Sequence, residues 1–349
     1  MIPVLVALLP VLVFLALLVV LDSFKLVTWP RLARAVAAGG AVALVCLPVN
    51  AWVLDASPET SRLLASRYFA PLLEESLKVA VVALIVWRRG AGFLVDAAVL
   101  GFAVGAGFAL VENLHYLWAL RGSGAGLWIV RGFGTAILHG ATAAIAAILT
   151  QHLLERREAR RALDLAPGWM AAVVLHSAFN HFVLPPAAAT LVLFVVLPPL
   201  VLLVFDRSER ATRAWVHDGM DVDLEAMALL LSSGFAGSRA GRYLHELKTR
   251  FPGPVVADMF CLLRIDLELA IRAKGLLMAR EAGLELPADD SVAARLQERQ
   301  YLREAIGRTA LLALRPLQPA EPRQEWLARL DPVRRSARLQ PRRNADRPS

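Results

Sequence analysis

Four apolar stretches of this sequence carry residues that an apolar stretch normally excludes. Glu74, Glu75 and Lys78 sit within PLLEESLKVAVVALIVW, and Glu112, Asn113 and His115 within GFALVENLHY. His139 sits within ILHGATAA, and His176, Asn180 and His181 within LHSAFNH. Carboxylate plus imidazole can activate water for attack on a carbonyl. Two adjacent carboxylates oppose each other's ionisation, which suits one of them to take a proton near neutral pH. Histidine and asparagine on one helix face can donate to a developing oxyanion. The same donor set can instead hold a divalent metal, and imidazole with carboxylate suits zinc. Helical spacing supports a shared site. Glu74 and Glu75 lie four and three residues before Lys78, His176 lies four before Asn180, and Phe108 lies four before Glu112.

Other chemistries find no support. There is no H-E-x-x-H helix and no G-x-S-x-G elbow. Ser123 stands between two glycines and reads as part of a turn. Cys46 and Cys261 have no histidine beside them and read as small core residues. Two cysteines exclude a disulfide framework and a cysteine-rich zinc site. His115, His181 and His152 fall nearer the ends of their apolar runs and read as structural, and Asp96 lies close to its helix start.

These residues need helices to carry them, and the composition supplies a membrane bundle. Of the 349 residues, 57% are hydrophobic and only 19% charged, more apolar and less charged than a soluble domain. Residues 1–205 hold 14 Lys+Arg and 10 Asp+Glu, while the remaining two-fifths hold 24 and 20. About 20 apolar residues span a bilayer as helix. The pattern predicts an all-α polytopic bundle of about seven spans, near 3–22, 33–54, 68–87, 93–119, 127–150, 168–184 and 187–205. The first run has no basic segment before it and is long for a signal peptide, so it is expected to be retained. The Lys and Arg of alternate loops divide nine against four. That bias predicts an outward N-terminus and a cytoplasmic C-terminal region in a cell-membrane protein. Ala97, Gly101, Gly105 and Ala109 recur every four residues, a pattern for close helix packing and not for a nucleotide loop.

Depth ties the polar residues together. Glu75 and Glu112 each fall about seven residues from the outer end of their spans, or about 10 Å down at 1.5 Å per residue. His176 comes out at roughly 12 Å, and His139 at roughly 12–18 Å. Each mid-membrane charge costs roughly 2.5–3.5 kcal/mol, so four unpaired charges would cost on the order of 10 kcal/mol. They are expected to face one another or a wet cavity, as a functional site in the outer half of the membrane.

The motifs resemble those of a known family. EESLK is similar to the E-E-x-x-K motif of the PrsW-type intramembrane proteases, and Phe108 to Glu112, with Tyr116 following, resembles their F-x-x-x-E. His139 matches a histidine of the next helix, and His176 to Asn180 resembles their H-x-x-x-D or H-x-x-x-N. The resemblance covers roughly residues 60–185, with the motifs in order on successive spans, and extends to the wider CAAX-processing and bacteriocin-immunity superfamily. It implies a membrane-embedded endopeptidase acting on a membrane-anchored protein near the outer surface, such as an anti-sigma factor. It makes Glu74 or Glu75 the catalytic base, with Glu112, His139 and His176 completing a water-activating or metal-binding group. It gives Asn180 to the oxyanion and Lys78 to neutralising the glutamate pair. The metal set, if a metal is present, would be His139, His176 and Glu112, with Zn2+ the expected ion. Two positions bear on the mechanism: relatives with CAAX-type activity carry histidine where Glu112 stands, and Asn rather than Asp at position 180 weakens a role there as an anionic metal ligand.

Residues 206–331 read as a helical cytoplasmic domain and residues 332–349 as a basic disordered tail of the kind that contacts anionic lipid. Few aromatics and no recognition motif argue against nucleic acid. Two rival functions remain at this point. A proton- or ion-coupled carrier also needs intramembrane Glu, Lys and His, but the inner halves of these spans are nearly all apolar and no inverted repeat is visible. A catalytically inactive scaffold would keep the fold without the chemistry.

Overall fold

The computed structural model describes residues 2–22, 24, 27–87, 93–156, 162–284 and 291–318. Residues 319–331 of the expected helical domain and the basic tail lie outside them, as do Lys25, Arg88, Arg89, Arg157, Arg160 and Arg161, on which the expected orientation leans. Every described element is helical. The chain forms two compact units, Met1–Arg210 and Ala211–Ser349.

In the first unit, α1 (Ile2–Leu21) and α2 (Trp29–Ala56) precede a composite helix. That helix begins as α3 (Glu59–Leu64), widens through a π-helical turn at Ala65–Phe69, and continues as α4 (Ala70–Trp87). Next comes α5 (Leu94–Ala119), followed by a second composite: α6 (Ala125–Ile129), a π-helical turn at Val130–Thr135, and α7 (Ala136–Arg156). A 3-10 turn at Ala162–Leu165 leads into α8 (Ala166–Asn180), and α9 runs from Pro186 to Leu231.

Six of these helices are long and apolar enough to cross a membrane. Of the expected spans, α4 alone fails that test, because Glu74, Glu75 and Lys78 all fall within its 18 residues. The last expected span also differs, since α9 starts at Pro186 and does not stop near 205 but is helical to Leu231.

The core of this unit is α5, which is buried on almost every side and packs against α1, α2 and α7. Small residues make that position available. A Cβ on Gly105 would overlap the His139 carbonyl and the Cα of Gly140. The small-residue stripe therefore seats α7 against α5 at the residue that carries imidazole. The outer helices show the opposite face, with Leu5, Leu9, Leu12 and Leu17 of α1 and Leu191, Val195 and Leu203 of α9 exposed.

In the second unit, α10 (Arg239–Leu247), α11 (Gly253–Glu281) and α12 (Ser291–Leu314) surround a core that includes Leu244, Met259, Leu262, Leu269, Leu302 and Ala310. Gly307 has φ 76° and breaks α12 in two. Lys274 is buried, and its Nζ donates to Asp223 Oδ2 and the Gly219 carbonyl, each at 2.6 Å. Cys46 is buried as expected, whereas Cys261 is exposed on α11, so the core assignment made for it from sequence is corrected.

Candidate active site

Four helices converge on one buried cluster. The composite helix ending in α4 supplies Glu74, Glu75 and Lys78; α5 supplies Glu112, α7 His139 and α8 His176. Both composite helices pass through a π-helical turn just before their functional residues. Such turns recur at functional sites, because the extra residue re-aims the side chains that follow. The second of them carries Arg131.

Glu75 is the hub. Its side chain is 0% exposed, as is that of Lys78. Its Oε1 accepts from Lys78 Nζ at 2.7 Å, from Thr142 Oγ1 at 3.2 Å and from His176 Nδ1 at 2.7 Å. Lys78 Nζ also lies 3.0 Å from His139 Nδ1, and His139 Nε2 lies 3.2 Å from Glu112 Oε2. An ammonium only donates and a carboxylate only accepts. The network therefore assigns the His139 proton to Nε2 and the His176 proton to Nδ1. His176 is left with the lone pair of Nε2, which faces Glu74 Oε2 at 3.9 Å. Beyond Glu112, Arg131 Nη2 lies 3.0 Å from Glu112 Oε2, while its Nε donates to Asn113 Oδ1 at 3.0 Å. Asn113 in turn donates to the Ala7 carbonyl of α1 at 2.8 Å.

Two aromatic contacts pack the imidazoles: the His139 and His176 rings are 4.9 Å apart edge to face, and Phe108 lies 4.7 Å from His139. A cavity of about 300 Å³ opens onto the cluster, lined among others by Asn50, Glu74, Glu112, His139, His176 and Asn180. Glu75 and Lys78 stand behind its wall.

The donor set fits a cation. One ligand atom each from Glu74, His139 and His176 lies within 4.8 Å of the others. Tetrahedral zinc with bonds of about 2.0–2.1 Å would draw such donors somewhat closer. Glu74 Oε2 is buried with no hydrogen-bond partner. Charge points the same way, since Glu74, Glu75 and Glu112 face only Lys78 and Arg131 as fixed cations in this network, leaving a negative excess for a proton or a metal. Glu75 on the Nδ1 side of His176 has the carboxylate–histidine arrangement that orients metal ligands. Both nitrogens of His139 are engaged, so binding a cation there exchanges one of those bonds.

Six of the seven residues singled out from sequence meet in this network. Asn180 lines the same cavity but donates to the Ser66 carbonyl at 3.1 Å and bonds none of the six. His181 bridges Tyr68 and its own helix, and His115 sits exposed at the cavity wall. The triad with clustered ligand atoms contains Glu74, where the sequence expectation had Glu112. Sequence reasoning passed over Asn50, Thr142 and the site contact of Arg131. Asparagine and threonine are unremarked in apolar helices, and an arginine near a span end looks like a loop charge until the fold brings it onto Glu112.

A buried Glu–His–Lys cluster within a bundle of membrane-length helices has the donor set that a membrane-embedded hydrolase needs. Residues 27–204, just over half of the chain, match the PrsW family of intramembrane metalloproteases, and the chain belongs to that family. No curated protein and no solved structure matches it.

Proposed function

We propose that this intramembrane protease hydrolyses a peptide bond of a membrane-anchored protein, within the outer half of the bilayer, and that a bound Zn2+ assists it. An anti-sigma factor or a similar single-span regulator is the substrate class. The N-terminus faces out and the C-terminal unit faces the cytoplasm of a cell-membrane protein. The observation that carries this reading is the pairing of Glu74 Oε2 with His176 Nε2, two lone-pair donors facing each other across 3.9 Å at a cavity wall.

Glu74, His139 and His176 would hold the metal. When bound, it supplies a Lewis acid that polarises a carbonyl and activates water. Glu75 acts from behind the wall: by accepting the Nδ1 proton of His176 it fixes that ring with Nε2 toward the cavity. Lys78 offsets the charge of Glu75 and pins His139. Glu112 is the remaining carboxylate on the cavity, held by Arg131, and is placed to take the proton released as water attacks. This divides the acids differently from the sequence expectation, with Glu74 among the ligands and Glu112 as proton acceptor. Asn180 spends one N–H on Ser66 and keeps a second for the developing oxyanion.

The test is to reconstitute the protein with single-span membrane proteins in nanodiscs and to map the products by mass spectrometry. Cuts are expected in the part of the substrate span nearer its outer surface. Cuts confined to the cytoplasmic half, or transport of protons or ions without any cut, would overturn this reading.

A further inference from the structure

Between residues 35 and 54 of α2 there is one carboxamide, Asn50. Its two polar atoms have different fates. Nδ2 donates to Glu74 Oε1 at 2.9 Å. Oδ1 is buried and has no protein partner, and the residue lines the cavity onto which Glu74, His139 and His176 open. An amide that served only to join two apolar helices would be expected to satisfy both ends, because an unpaired buried carbonyl costs about 1–3 kcal/mol. Here one end is spent on a site carboxylate, and the other is left without a hydrogen-bond partner on a residue that lines the cavity. Of the α2 residues that line the cavity, Leu47, Asn50, Ala51, Val53 and Leu54, Asn50 alone has a polar side chain.

A peptide bond can be cut only where the substrate chain is unwound. Unwinding inside a membrane exposes backbone N–H groups that need acceptors. We propose that Asn50 bridges the site and the substrate: Nδ2 holds Glu74 in its working orientation, and Oδ1 accepts a hydrogen bond from a backbone N–H of the extended peptide in the cavity. The inference rests on the peptidase reading above and adds a substrate-contacting, positioning residue on a helix to which no chemistry had been assigned.

The two atoms can be separated. Asn50→Ala removes both functions. Asn50→Asp has nearly the same size and keeps an acceptor but loses the donor to Glu74. In nanodiscs, with a single-span protein that the wild type cleaves, Asn50→Ala is expected to raise KM about 5- to 10-fold and lower kcat at least 10-fold. Asn50→Asp is expected to lower kcat similarly while leaving KM near the wild-type value. Zn2+ affinity, measured by titration without substrate, should fall about 10- to 100-fold in Asn50→Ala, the usual effect of losing an outer-shell partner. In a Glu74→Gln background the same change should weaken Zn2+ little further, since the two act as a unit.

Wild-type kcat, KM and Zn2+ affinity in Asn50→Ala would overturn the proposal. So would equal KM increases in the Ala and Asp variants together with effects that add to those of Glu74→Gln. Should Asn50→Ala fail to fold, the Asp variant decides alone, since unchanged kcat in it would overturn the bridge to Glu74. A wild type that cleaves no candidate removes the peptidase reading and the substrate half of the proposal, while the Zn2+ cycle still decides whether Asn50 acts through Glu74.

Discussion

At the scale of single residues, the site is a chain of bonds that runs from Arg131 through Glu112, His139 and Lys78 to Glu75 and His176. Lys78 holds Glu75 and His139 together from a fully buried position. Removing one partner of such a buried pair typically costs about 3–5 kcal/mol, because the other charge is stranded. Lys78→Ala is therefore expected to lower the thermal midpoint markedly and to abolish cleavage, as thermal unfolding in detergent and the nanodisc assay would show. Asn180→Ala should behave differently. Its loss removes one oxyanion donor and should cost about 10²–10³ in kcat with little change in KM. A variant that keeps wild-type kcat would take Asn180 out of the site. The acids and imidazoles were legible in the sequence, because a charged residue in an apolar run carries its own cost and invites an explanation. Asn50 and Thr142 were not, because a neutral amide or hydroxyl in a helix is cheap enough to pass without one.

Elements set the distances between those residues. Two features were readable in advance: the helical periodicity, and the small-residue stripe that lets α5 and α7 approach. The contact itself was not, since nothing in the residue spacing says that Gly105 meets the backbone of His139. Gly105→Ala is expected to force α7 off α5, with an overpacking cost of about 1–3 kcal/mol and a loss of cleavage beyond tenfold. Gly126→Ala is the control, because a Cβ there meets nothing within 4 Å. Comparable losses in both variants would contradict the role given to this packing. The π-helical turns at Ala65–Phe69 and Val130–Thr135 were also hidden. They shift the register of each helix by one residue, and no local composition marks such a shift.

At the scale of the whole molecule, the spans and the presence of a charged helical C-terminal unit follow from composition. The end of the last span did not, because α9 passes from apolar to charged sequence without a helix-breaking residue to mark the change. The proposed orientation can be read from the two native cysteines. Cys46 is buried and Cys261 exposed. A membrane-impermeant maleimide is expected to label Cys261 only when the cytoplasmic face is accessible, as in inverted vesicles. Labelling in intact cells would reverse the topology and put the cavity on the opposite side.

The central claim is that Glu74, His139 and His176 form a metal-assisted peptidase site. The most direct measurement is cleavage of one single-span substrate in nanodiscs, before chelation, after it, and after Zn2+ is returned, for the wild type, Glu74→Gln and His176→Ala side by side. The account predicts that the wild type loses cleavage on chelation and regains it with Zn2+. Both variants should remain inactive throughout, with at least tenfold weaker Zn2+ binding. Undiminished cleavage by the chelated wild type would contradict the metal, and normal cleavage by either variant would contradict the site itself.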